Sequence, residues 1–427
     1  MNATTMASTD LVVVGGGAAG LMLAATAAAR GLGVTVLDPN QKLGRKLRIT
    51  GKGRCNLTNH CDVKTVLANM PGDGRFLYSA LSRFSPDDVM AWFEDRGLSL
   101  KTERGNRVFP ASDNANDVAE TLLRECRRYG VRFIRTKAKA IVSEGGRVSG
   151  AVTEEEIIAC RAAAVCTGGL SYPLTGSTGD GYRFARSFGH TITPPQASLV
   201  PLESEDEYCA QMQGFSLKNV VLSAFEDDRL IYRELGEMLF THFGVSGPLV
   251  LSASAHMRHM ESRKYRLEID LKPGLNEKKL DARLLRDFEK YANRSFKNAL
   301  VDLAGQSMIP VLVSLSGIPE ETKVHDITRE QRMRLLRLLK AFPVSVSAKR
   351  PMDEAIITAG GVYLKEVNPR TMESKLLPGL YFAGEVLDLD AYTGGFNLQI
   401  AWSTAHIAGQ AILQEEDSYE RTFRDRD

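Results

Sequence analysis

The sequence lacks the cysteine patterns that mark metal sites and redox-active disulfides. Six cysteines are scattered through the 427 residues, and no two of them form a CxxC or CxxxxC pair. Neither a zinc site nor a dithiol redox centre is therefore predicted. A chain of this length can bury a large core without disulfides. There is also no GxSxG turn of the kind that exposes a hydrolase serine. We expect reduced thiols, as in cytoplasmic proteins.

Long apolar runs and a strong net charge are also missing. No stretch approaches the ~20 apolar residues that a membrane span requires. The first ten residues lack the basic and apolar parts of a signal peptide. The net charge is only +2, so no general attraction to nucleic acid is implied. We therefore expect a cytoplasmic protein without a membrane partner, and the oligomeric state is left open.

A glycine-rich turn follows the first apolar strand. Residues 11–14 are Leu-Val-Val-Val, residues 15–20 are Gly-Gly-Gly-Ala-Ala-Gly, a helical pattern follows, and the second strand ends at Asp38. In a dinucleotide fold the first glycine permits the turn, the second admits a pyrophosphate and the third lets the helix pack closely. The carboxylate after the second strand accepts hydrogen bonds from ribose hydroxyls. The predicted contacts are Gly15, Gly17, Ala18, Ala19, Gly20, Asp38 and Pro39.

Two distant segments distinguish FAD from a nicotinamide dinucleotide. One is a strand that ends in Thr167-Gly168-Gly169, and the other is a strand that ends in Gly384-Glu385. Gly394-Gly395-Phe396-Asn397 then opens a helix, whose N-terminus could stabilise the electron-rich edge of a flavin. FAD is therefore the predicted cofactor. No second GxGxxG turn follows a strand, so NAD(P)H is expected to bind transiently over the flavin, unless another donor serves.

The order of these elements predicts a discontinuous domain. Dinucleotide-type elements occupy both ends of the chain, and the middle has a different character. The predicted fold class is α/β, with a discontinuous Rossmann-like FAD-binding domain, an inserted β-rich domain and a helical subdomain. The predicted boundaries are 1–192 and 355–427 for the two FAD-binding segments, 193–275 for the β-rich insert, 276–340 for the helical insert and 341–354 for the return of the β-rich insert.

Several long blocks give the chain a closer resemblance. They are Gly44-Arg45-Lys46, residues 51–59, residues 167–173, residues 239–248, Gly361-Val362 with residues 370–373, and residues 384–388. The combination looks like the two-dinucleotide-fold flavoproteins, and between residues 11 and 409 the chain is similar to the BaiN/RdsA (HI0933-like) family. One departure is that Asp38 stands where many flavoproteins carry glutamate.

The resemblance implies FAD, a β-rich insert, a helical insert and reduction of a carbon–carbon double bond. Family members are described as reductases of bile-acid dehydro-intermediates and as enzymes that make dihydrouridine in 23S ribosomal RNA. The further FAD contacts predicted are Lys46, Arg54, Cys55, Asn56, Ala140, Thr167, Gly168, Gly169, Gly384, Glu385, Gly395, Phe396, Asn397 and Leu398.

Residues 39–61 form a predicted basic loop that contains no acidic residue. Its six cations are Lys42, Arg45, Lys46, Arg48, Lys52 and Arg54. A pyrophosphate that is already held by a helix N-terminus needs fewer than six cations. Either the surplus is solvated, or it faces an anionic substrate such as RNA phosphates or a nicotinamide nucleotide. The helical insert also favours an anionic substrate, with 14 Lys and Arg against 9 Asp and Glu over residues 272–340.

Reduction of a double bond needs a proton donor as well as a hydride donor. Cys55, Tyr172 and His242 are the catalytic candidates, and Tyr392 flanks another flavin-proximal glycine; each has a structural alternative. Tyr392, Phe396 and Trp402 could stack on a substrate or pack in the core. Three hypotheses follow: an ene reductase of small molecules, an enzyme that reduces a uridine of 23S rRNA, or a non-catalytic FAD-binding protein.

Overall fold

The computed structural model describes residues 6–72 and 74–414. The first five residues and the segment 415–427, both included in the predicted FAD-binding segments, lie outside the described residues. The chain divides into two compact units. One comprises Met1–Gln196 and Ile357–Asp427, and the other comprises Ala197–Ile356. The first unit is therefore built from two separate parts of the chain.

A mixed sheet forms the centre of the first unit. Its strand order is β6-β2-β1-β9-β8-β7, and β19 pairs with β9 as well. The strands of this unit are β1 (Met6–Val14), β2 (Val34–Leu37), β3 (Thr58–Asn59), β4 (Leu100–Glu103), β5 (Arg107–Pro110), β6 (Arg132–Ile134), β7 (Ala140–Glu144), β8 (Arg147–Val152), β9 (Ile157–Val165), β10 (Ile192–Ser198, which crosses the boundary), β18 (Ile357–Val362) and β19 (Leu380–Phe382). The neighbours β1, β2, β6, β9 and β19 pair in parallel, whereas β7 and β8 form an antiparallel hairpin.

The described part of this unit also contains eight α-helices. They are α1 (Ala18–Ala29), α2 (Arg45–Ile49), α3 (Val63–Ala68), α4 (Tyr78–Arg83), α5 (Pro86–Glu94), α6 (Ala115–Arg128), α7 (Asp180–Ser187) and α14 (Phe396–Ala411). The helices α1 and α14 pack closely at Gly409. A Cβ atom at this position would lie only 2.8 Å from the Thr26 Cβ, so the contact depends on glycine. Both helices are buried on nearly all sides, as expected of helices that lie between a sheet and other helices.

The predicted basic loop is not a loop throughout. Residues Arg45–Ile49 form α2, which follows Gly44 in the left-handed conformation and buries only Leu47. This helix is not predictable from the sequence, because a single buried apolar residue among cations produces no amphipathic period. Two other possibilities are resolved in favour of packing. Trp402 is fully buried and donates its Nε1 hydrogen to the Leu57 carbonyl at 2.9 Å, and Phe396 lies in the core.

The second unit combines an antiparallel sheet with a group of helices. Its strand order is β16-β15-β12-β13-β14-β11-β17. The strands are β11 (Leu202–Glu203), β12 (Ser216–Glu226), β13 (Arg229–Thr241), β14 (Gly244–Ser246), β15 (Tyr265–Asp270), β16 (Phe342–Val346) and β17 (Ala348–Lys349). The helices are α8 (Glu207–Gln211), α9 (Pro248–Ser254), α10 (Glu277–Lys290), α11 (Phe296–Ala299), α12 (Ile309–Ser316) and α13 (Arg329–Lys340). In α10 the buried side chains include Leu280, Leu284 and Phe288, and in α13 they are Leu335, Leu336 and Leu339.

Among the described residues, no helix has the length and apolarity that a bilayer crossing requires.

Candidate functional site

Four parallel strands of the first unit end in one row. Val14 pairs with Leu37 on one side and with Val165 on the other, and Val165 pairs with Phe382. The segments that follow these residues therefore meet at one edge of the sheet, where open α/β sheets bind ligands. They are the glycine turn, Asp38, the Thr-Gly-Gly segment and the Gly-Glu segment. The row thus brings together most of the predicted FAD contacts.

The three turn glycines meet three different steric demands. Gly15 has φ +105°, and a side chain there would meet the Cys166 carbonyl at 2.5 Å. A side chain at Gly20 would fall onto the Gly15 carbonyl, so α1 can begin only with glycine at that position. Gly17 has nothing within 4 Å of the place where a Cβ would stand. Because α1 also has no side-chain cap, its first N–H groups are free to receive phosphate oxygens.

Asp38, the predicted ribose contact, holds the glycine turn. Its Oδ2 accepts a hydrogen bond from the Gly16 N–H at 2.7 Å. Its Oδ1 accepts from the backbone and the side-chain amide of Asn40, at 2.8 and 2.9 Å. A carboxylate has about four acceptor positions, so Asp38 keeps capacity for a ribose hydroxyl. Asn40 is not among the predicted site residues, although an aspartate whose side chain accepts from the N–H two residues later is a frequent turn.

A polar network joins the helix α2 to the Gly-Glu segment. The Lys46 ammonium lies 2.6 Å from Glu385 Oε2 and 2.7 Å from Ser171 Oγ. Ser171 donates to Glu385 Oε1 at 2.8 Å, and the Thr358 N–H donates to the same oxygen at 2.9 Å. Lys46 also lies 5.7 Å from the centroid of the Tyr172 ring. The lysine and glutamate side chains are 25% and 12% exposed, so this ion pair is accessible at the site without being a solvated surface pair.

Thr358 and the Thr-Gly-Gly segment fit tightly together. The Thr358 hydroxyl accepts from the N–H groups of Leu170 and Ser171 at 2.8 and 3.0 Å, and a side chain at Gly169 would collide with it. Thr358 is fully buried. It lies 188 positions from Leu170 in the chain, and nothing in the sequence marked it.

Two buried hydroxyls near the row have no hydrogen-bond partner among the described residues. They are Thr167 Oγ1 and the Tyr182 hydroxyl. Burial raises the pKa of Tyr182 well above its usual range, with further contributions from Glu385 and Asp388. A buried polar atom without a partner is costly unless a ligand or water satisfies it. These hydroxyls therefore fit a site that is completed by a bound molecule.

The N-terminus of α14 is held by two asparagines. Asn397 accepts from the Ala391 N–H at 2.9 Å and donates to the Ala391 carbonyl at 2.7 Å. The Asn56 amide is best satisfied when its oxygen accepts from the Gly395 N–H at 3.0 Å and its nitrogen donates to the Thr58 carbonyl at 3.1 Å. A side chain at Gly395 would collide with Thr58. Both asparagine side chains thus position the loop, while Leu398 lies half-buried in the first turn of the helix.

Arg54 and Ala140 are placed differently from the other predicted contacts. Arg54 forms ion pairs with Glu103 and Asp113, both at 2.5 Å, and stacks on Phe109 at 4.2 Å. Its charge is therefore already neutralised within the protein. Ala140 begins β7, which is separated from β9 by β8, so it is not part of the row. Contact of either residue with FAD stays a prediction.

The three catalytic candidates lie in three different environments. Cys55 is fully buried, and this burial raises its pKa far above the usual thiol range. Both facts weigh against proton donation to a substrate. Tyr172 lies beside Lys46 with φ +54°, a left-handed conformation that is uncommon for a large side chain. His242 belongs to the second unit, between β13 and β14, with its ring edge-on to Phe243 at 5.0 Å. Tyr172 is thus the candidate that the network adjoins.

The family model of the HI0933-like protein Rossmann domain matches residues 9–411. The chain belongs to the HI0933-like family. Its described residues include no group of three or more His, Cys, Asp or Glu that could hold a metal ion. Members of this family are FAD-dependent oxidoreductases. The match to the family model confirms the predicted family and the Rossmann-type fold class.

Two curated relatives of the HI0933-like chain cover almost its whole length. A ribosomal RNA dihydrouridine synthase of Haemophilus influenzae is 31% identical over 95% of this chain and 98% of its own. A 3-dehydro-bile acid delta(4,6)-reductase of Clostridium scindens is 32% identical over 94% of this chain and 98% of its own. Among solved structures, a 3-ketosteroid delta1-dehydrogenase of Sterolibacterium denitrificans is similar with a TM-score of 0.51 and 12% identity, over 95% of this chain and 99% of that one. That last likeness concerns the fold alone.

The residues of the HI0933-like chain fit FAD on structural grounds. The turn leaves an open face at Gly17, the N-terminus of α1 is uncapped, and the buried Thr167 hydroxyl lacks a partner within the described ranges. A pyrophosphate matches the first two features. A polar ribityl chain or ring atom matches the third.

Proposed function

We propose that this protein reduces a carbon–carbon double bond conjugated to a carbonyl group, with NAD(P)H as the donor that reduces its FAD. The observation that carries the proposal is the near-equal similarity to two relatives with different substrates, 31% and 32% identical over more than nine tenths of the chain. A dihydrouridine synthase and a delta(4,6)-reductase carry names that share one reaction, the addition of hydrogen across C=C. This shared reaction, and not either substrate, is therefore what we propose for the present protein.

The site offers a role for each part of this reaction. Bound FAD would accept a hydride from the nicotinamide and deliver it to one carbon of the double bond. The turn at Gly17 and the N-terminus of α1 would hold the pyrophosphate, and Asp38 the ribose. The hydrogen-bonded network at the row of strand ends would orient the bound groups; it consists of Lys46, Ser171 and Glu385. Tyr172, next to this network, would give the proton to the adjacent carbon.

Two substrate classes remain in the proposal. One is a uridine of ribosomal RNA, and the other is a small enone. The relatives' identities do not separate them. A specific observation favours uridine: three exposed cations of the segment 42–52 have no ion-pair partner among the described residues, and unpaired positive charge attracts a polyanion such as RNA.

The test is an anaerobic two-step titration of the FAD-loaded protein. NADH and NADPH are added first, and loss of the oxidised flavin absorbance is followed. A single-stranded RNA containing uridine, or a 3-oxo-4-ene steroid as the enone, is then added, and return of the absorbance is followed. We expect reoxidation by one of these acceptors. If the flavin is reduced by neither donor, or if reduced flavin survives both acceptors, the protein is a non-catalytic FAD-binding protein or acts on another class of substrate.

A cellular test separates the substrates. The 23S rRNA of a deletion strain is compared with that of its parent by mass spectrometry. The gain of one C=C bond, a loss of two hydrogens, at a single uridine supports the RNA substrate. Identical spectra leave the enone as the substrate to pursue.

A further inference from the structure

The six cations of the segment 42–54 fall into two groups. Three are neutralised by carboxylates of the same unit: Lys46 by Glu385, Arg48 by Glu120 at 2.7 Å, and Arg54 by Glu103 and Asp113. The other three, Lys42, Arg45 and Lys52, are exposed and have no ion-pair partner in the described part of the chain. The excess positive charge of this segment is therefore concentrated in these three side chains.

The paired cations hold this segment in place. Arg48 is only 8% exposed and donates to Asn116 and Glu120 of α6, both at 2.7 Å. Leu47 is buried, and the Gly44 N–H donates to the Gly16 carbonyl at 2.9 Å. The unpaired cations therefore project from a backbone that is fixed against both α6 and the glycine turn. Less conformational entropy is lost when such a surface binds a ligand.

Apolar side chains lie among the unpaired cations. Ile49 is 48% exposed and lies four positions after Arg45 in α2, so the two share one face of the helix. Arg45 donates to the Asn40 side chain at 3.0 Å, and Asn40 donates in turn to the Thr175 carbonyl at 3.2 Å. Leu174, next to Thr175, is 86% exposed. We call Lys42, Arg45, Ile49, Lys52 and Leu174 the basic rim.

The helical insert offers a weaker alternative, although its net charge is more positive than that of the rim. Nine acidic residues are interspersed with its 14 Lys and Arg over residues 272–340, whereas residues 39–61 contain none, and six of these cations form ion pairs. These pairs are Arg283 with Asp287, Lys290 with Asp302, Lys297 with Glu320 and Glu321, Arg332 with Asp281, Arg334 with Glu330, and Lys340 with Asp270. Ion pairs within a surface lower its attraction for phosphates, because each carboxylate repels what its partner attracts.

We propose that the basic rim is the surface that holds the phosphodiester backbone of a single-stranded RNA substrate, with Lys42, Arg45 and Lys52 on phosphates and Ile49 and Leu174 against bases or sugars. A positively charged surface that follows the backbone is one part of the pattern that binds single strands with little sequence preference, and the exposed Ile49 and Leu174 add apolar contact area for bases or sugars. This inference rests on the uridine form of the proposed function. It assigns the contact to the first unit, beside the cofactor turn, and not to the helical insert.

The test measures RNA binding by the oxidised, FAD-loaded protein without any electron donor. The probe is a fluorescein-labelled 15-nucleotide single-stranded RNA, followed by anisotropy from 50 to 300 mM salt. The rim variant carries Lys42→Gln, Arg45→Gln and Lys52→Asn; asparagine is chosen because Lys52 has φ +59° and asparagine tolerates that conformation. The control variant carries Lys278→Gln, Lys279→Gln and Arg286→Gln, three exposed cations of α10 that have no ion-pair partner within the described ranges.

The expected result is a change in the salt dependence. Each phosphate contact on a single strand contributes ~0.7 to the slope of log K against log salt, so the rim variant should lose ~2 units of slope and bind ~100-fold more weakly at ~0.1 M salt. The control variant should keep the wild-type slope, and all three proteins should keep their FAD.

Three other results would overturn the inference. An unchanged slope in the rim variant, or a loss confined to the control variant, places the RNA elsewhere. Loss of FAD from the rim variant assigns the cations to the cofactor. Unchanged RNA binding, together with a raised KM for NADPH in a separate flavin-reduction assay, assigns them to the electron donor. Because the assay contains no donor, failure of the proposed reduction and failure of the rim are distinguished.

Discussion

The Lys46 ammonium and the Glu385 carboxylate form an ion pair at 2.6 Å, although the two residues are 339 positions apart in the chain. This pair joins α2, near the start of the first unit, to the segment that follows β19, near its end. Ser171 hydrogen-bonds to both partners. The pair therefore fixes three of the segments that meet at the row of strand ends.

Removing this charge pair should weaken both the fold and cofactor retention. Glu385→Gln keeps an acceptor for the Thr358 N–H but leaves Lys46 without its counter-charge in a half-buried position. We expect the free energy of unfolding of the apo-protein to fall by about 1–3 kcal/mol. Urea unfolding of the apo-protein and flavin absorbance after gel filtration measure the two effects. An unchanged unfolding midpoint would contradict the structural role.

Two alanine substitutions in the glycine turn should have opposite profiles. Gly17→Ala adds a methyl group where no protein atom lies within 4 Å, so the unfolding free energy of the apo-protein should change by less than ~1 kcal/mol. The same methyl group blocks the approach of a pyrophosphate, so FAD should be lost. Gly20→Ala places its methyl group on the Gly15 carbonyl, and overpacking of this kind costs ~1–3 kcal/mol.

The comparison of these two variants is itself the control. Apo-protein stability is measured by urea unfolding and FAD affinity by fluorescence titration. Normal FAD binding in Gly17→Ala would show that the cofactor phosphates do not approach this turn.

The Arg54 cluster should give a pH-dependent contribution to stability. Hydrogen bonds from Arg54 lower the pKa of Glu103 below 4.5, and those from Lys101 and then Arg54 lower the pKa of Asp113 below 3.8. A carboxyl group whose pKa is lower in the folded state stabilises the fold above its unfolded pKa, and this stabilisation is lost as pH falls through the folded pKa. Arg54→Gln should therefore lower the urea midpoint at pH 7.

The difference between wild type and Arg54→Gln should shrink as pH falls below the ordinary carboxyl range, because the unfolded state then takes up protons that the folded wild type, with its lowered pKa values, does not yet bind. Urea midpoints between pH 7 and pH 3 measure it. Because the cluster is exposed, salt should also reduce the difference. A difference that stays constant down to pH 3 would indicate that Arg54 acts only through its contact with Phe109.

Tyr172 and Cys55 should differ sharply as proton donors. Tyr172→Phe removes a hydroxyl beside the Lys46 network, and loss of a general acid costs ~10²–10⁴-fold in rate. The flavin reoxidation step should slow by that factor, while flavin reduction by NAD(P)H keeps its rate. Cys55→Ala should leave both rates unchanged, because the thiol is fully buried with a raised pKa. Stopped-flow absorbance in H2O and D2O measures both steps. A slow Cys55→Ala enzyme with normal FAD content would restore the thiol as the donor.

The parts of the site that local sequence patterns specify were predictable. A short apolar run followed by glycine marks the end of a buried strand, and this pattern located the ends of β1, β9 and β19. The glycine turn and Asp38 follow from the same local rule. The family resemblance added the family itself, which the family match confirms.

The remaining parts depend on contacts between residues that are far apart in sequence. Thr358 supports the Thr-Gly-Gly segment from 188 positions away. The expected contact of Arg54 with FAD comes from the family motif and stays a prediction, whereas its ion pairs with Glu103 and Asp113, 49 and 59 positions away, have no signal in the sequence. Cys55 was a candidate acid because its neighbours in sequence suggested the flavin, whereas its burial is set by the surrounding core. Charge and thiol positions alone do not reveal such partners.

The row of strand ends also has a consequence for protein synthesis. The strand ends Val14, Leu37 and Val165 are joined in this row by Phe382, and Ser171 by Glu385, and the whole unit Ala197–Ile356 is translated between the early and the late segments. Domains tend to fold as they leave the ribosome, so that unit can form while the cofactor site is still incomplete. FAD capture thus becomes a late event, and a chain interrupted before β19 would expose the open edge of β9 without the cofactor that closes the site.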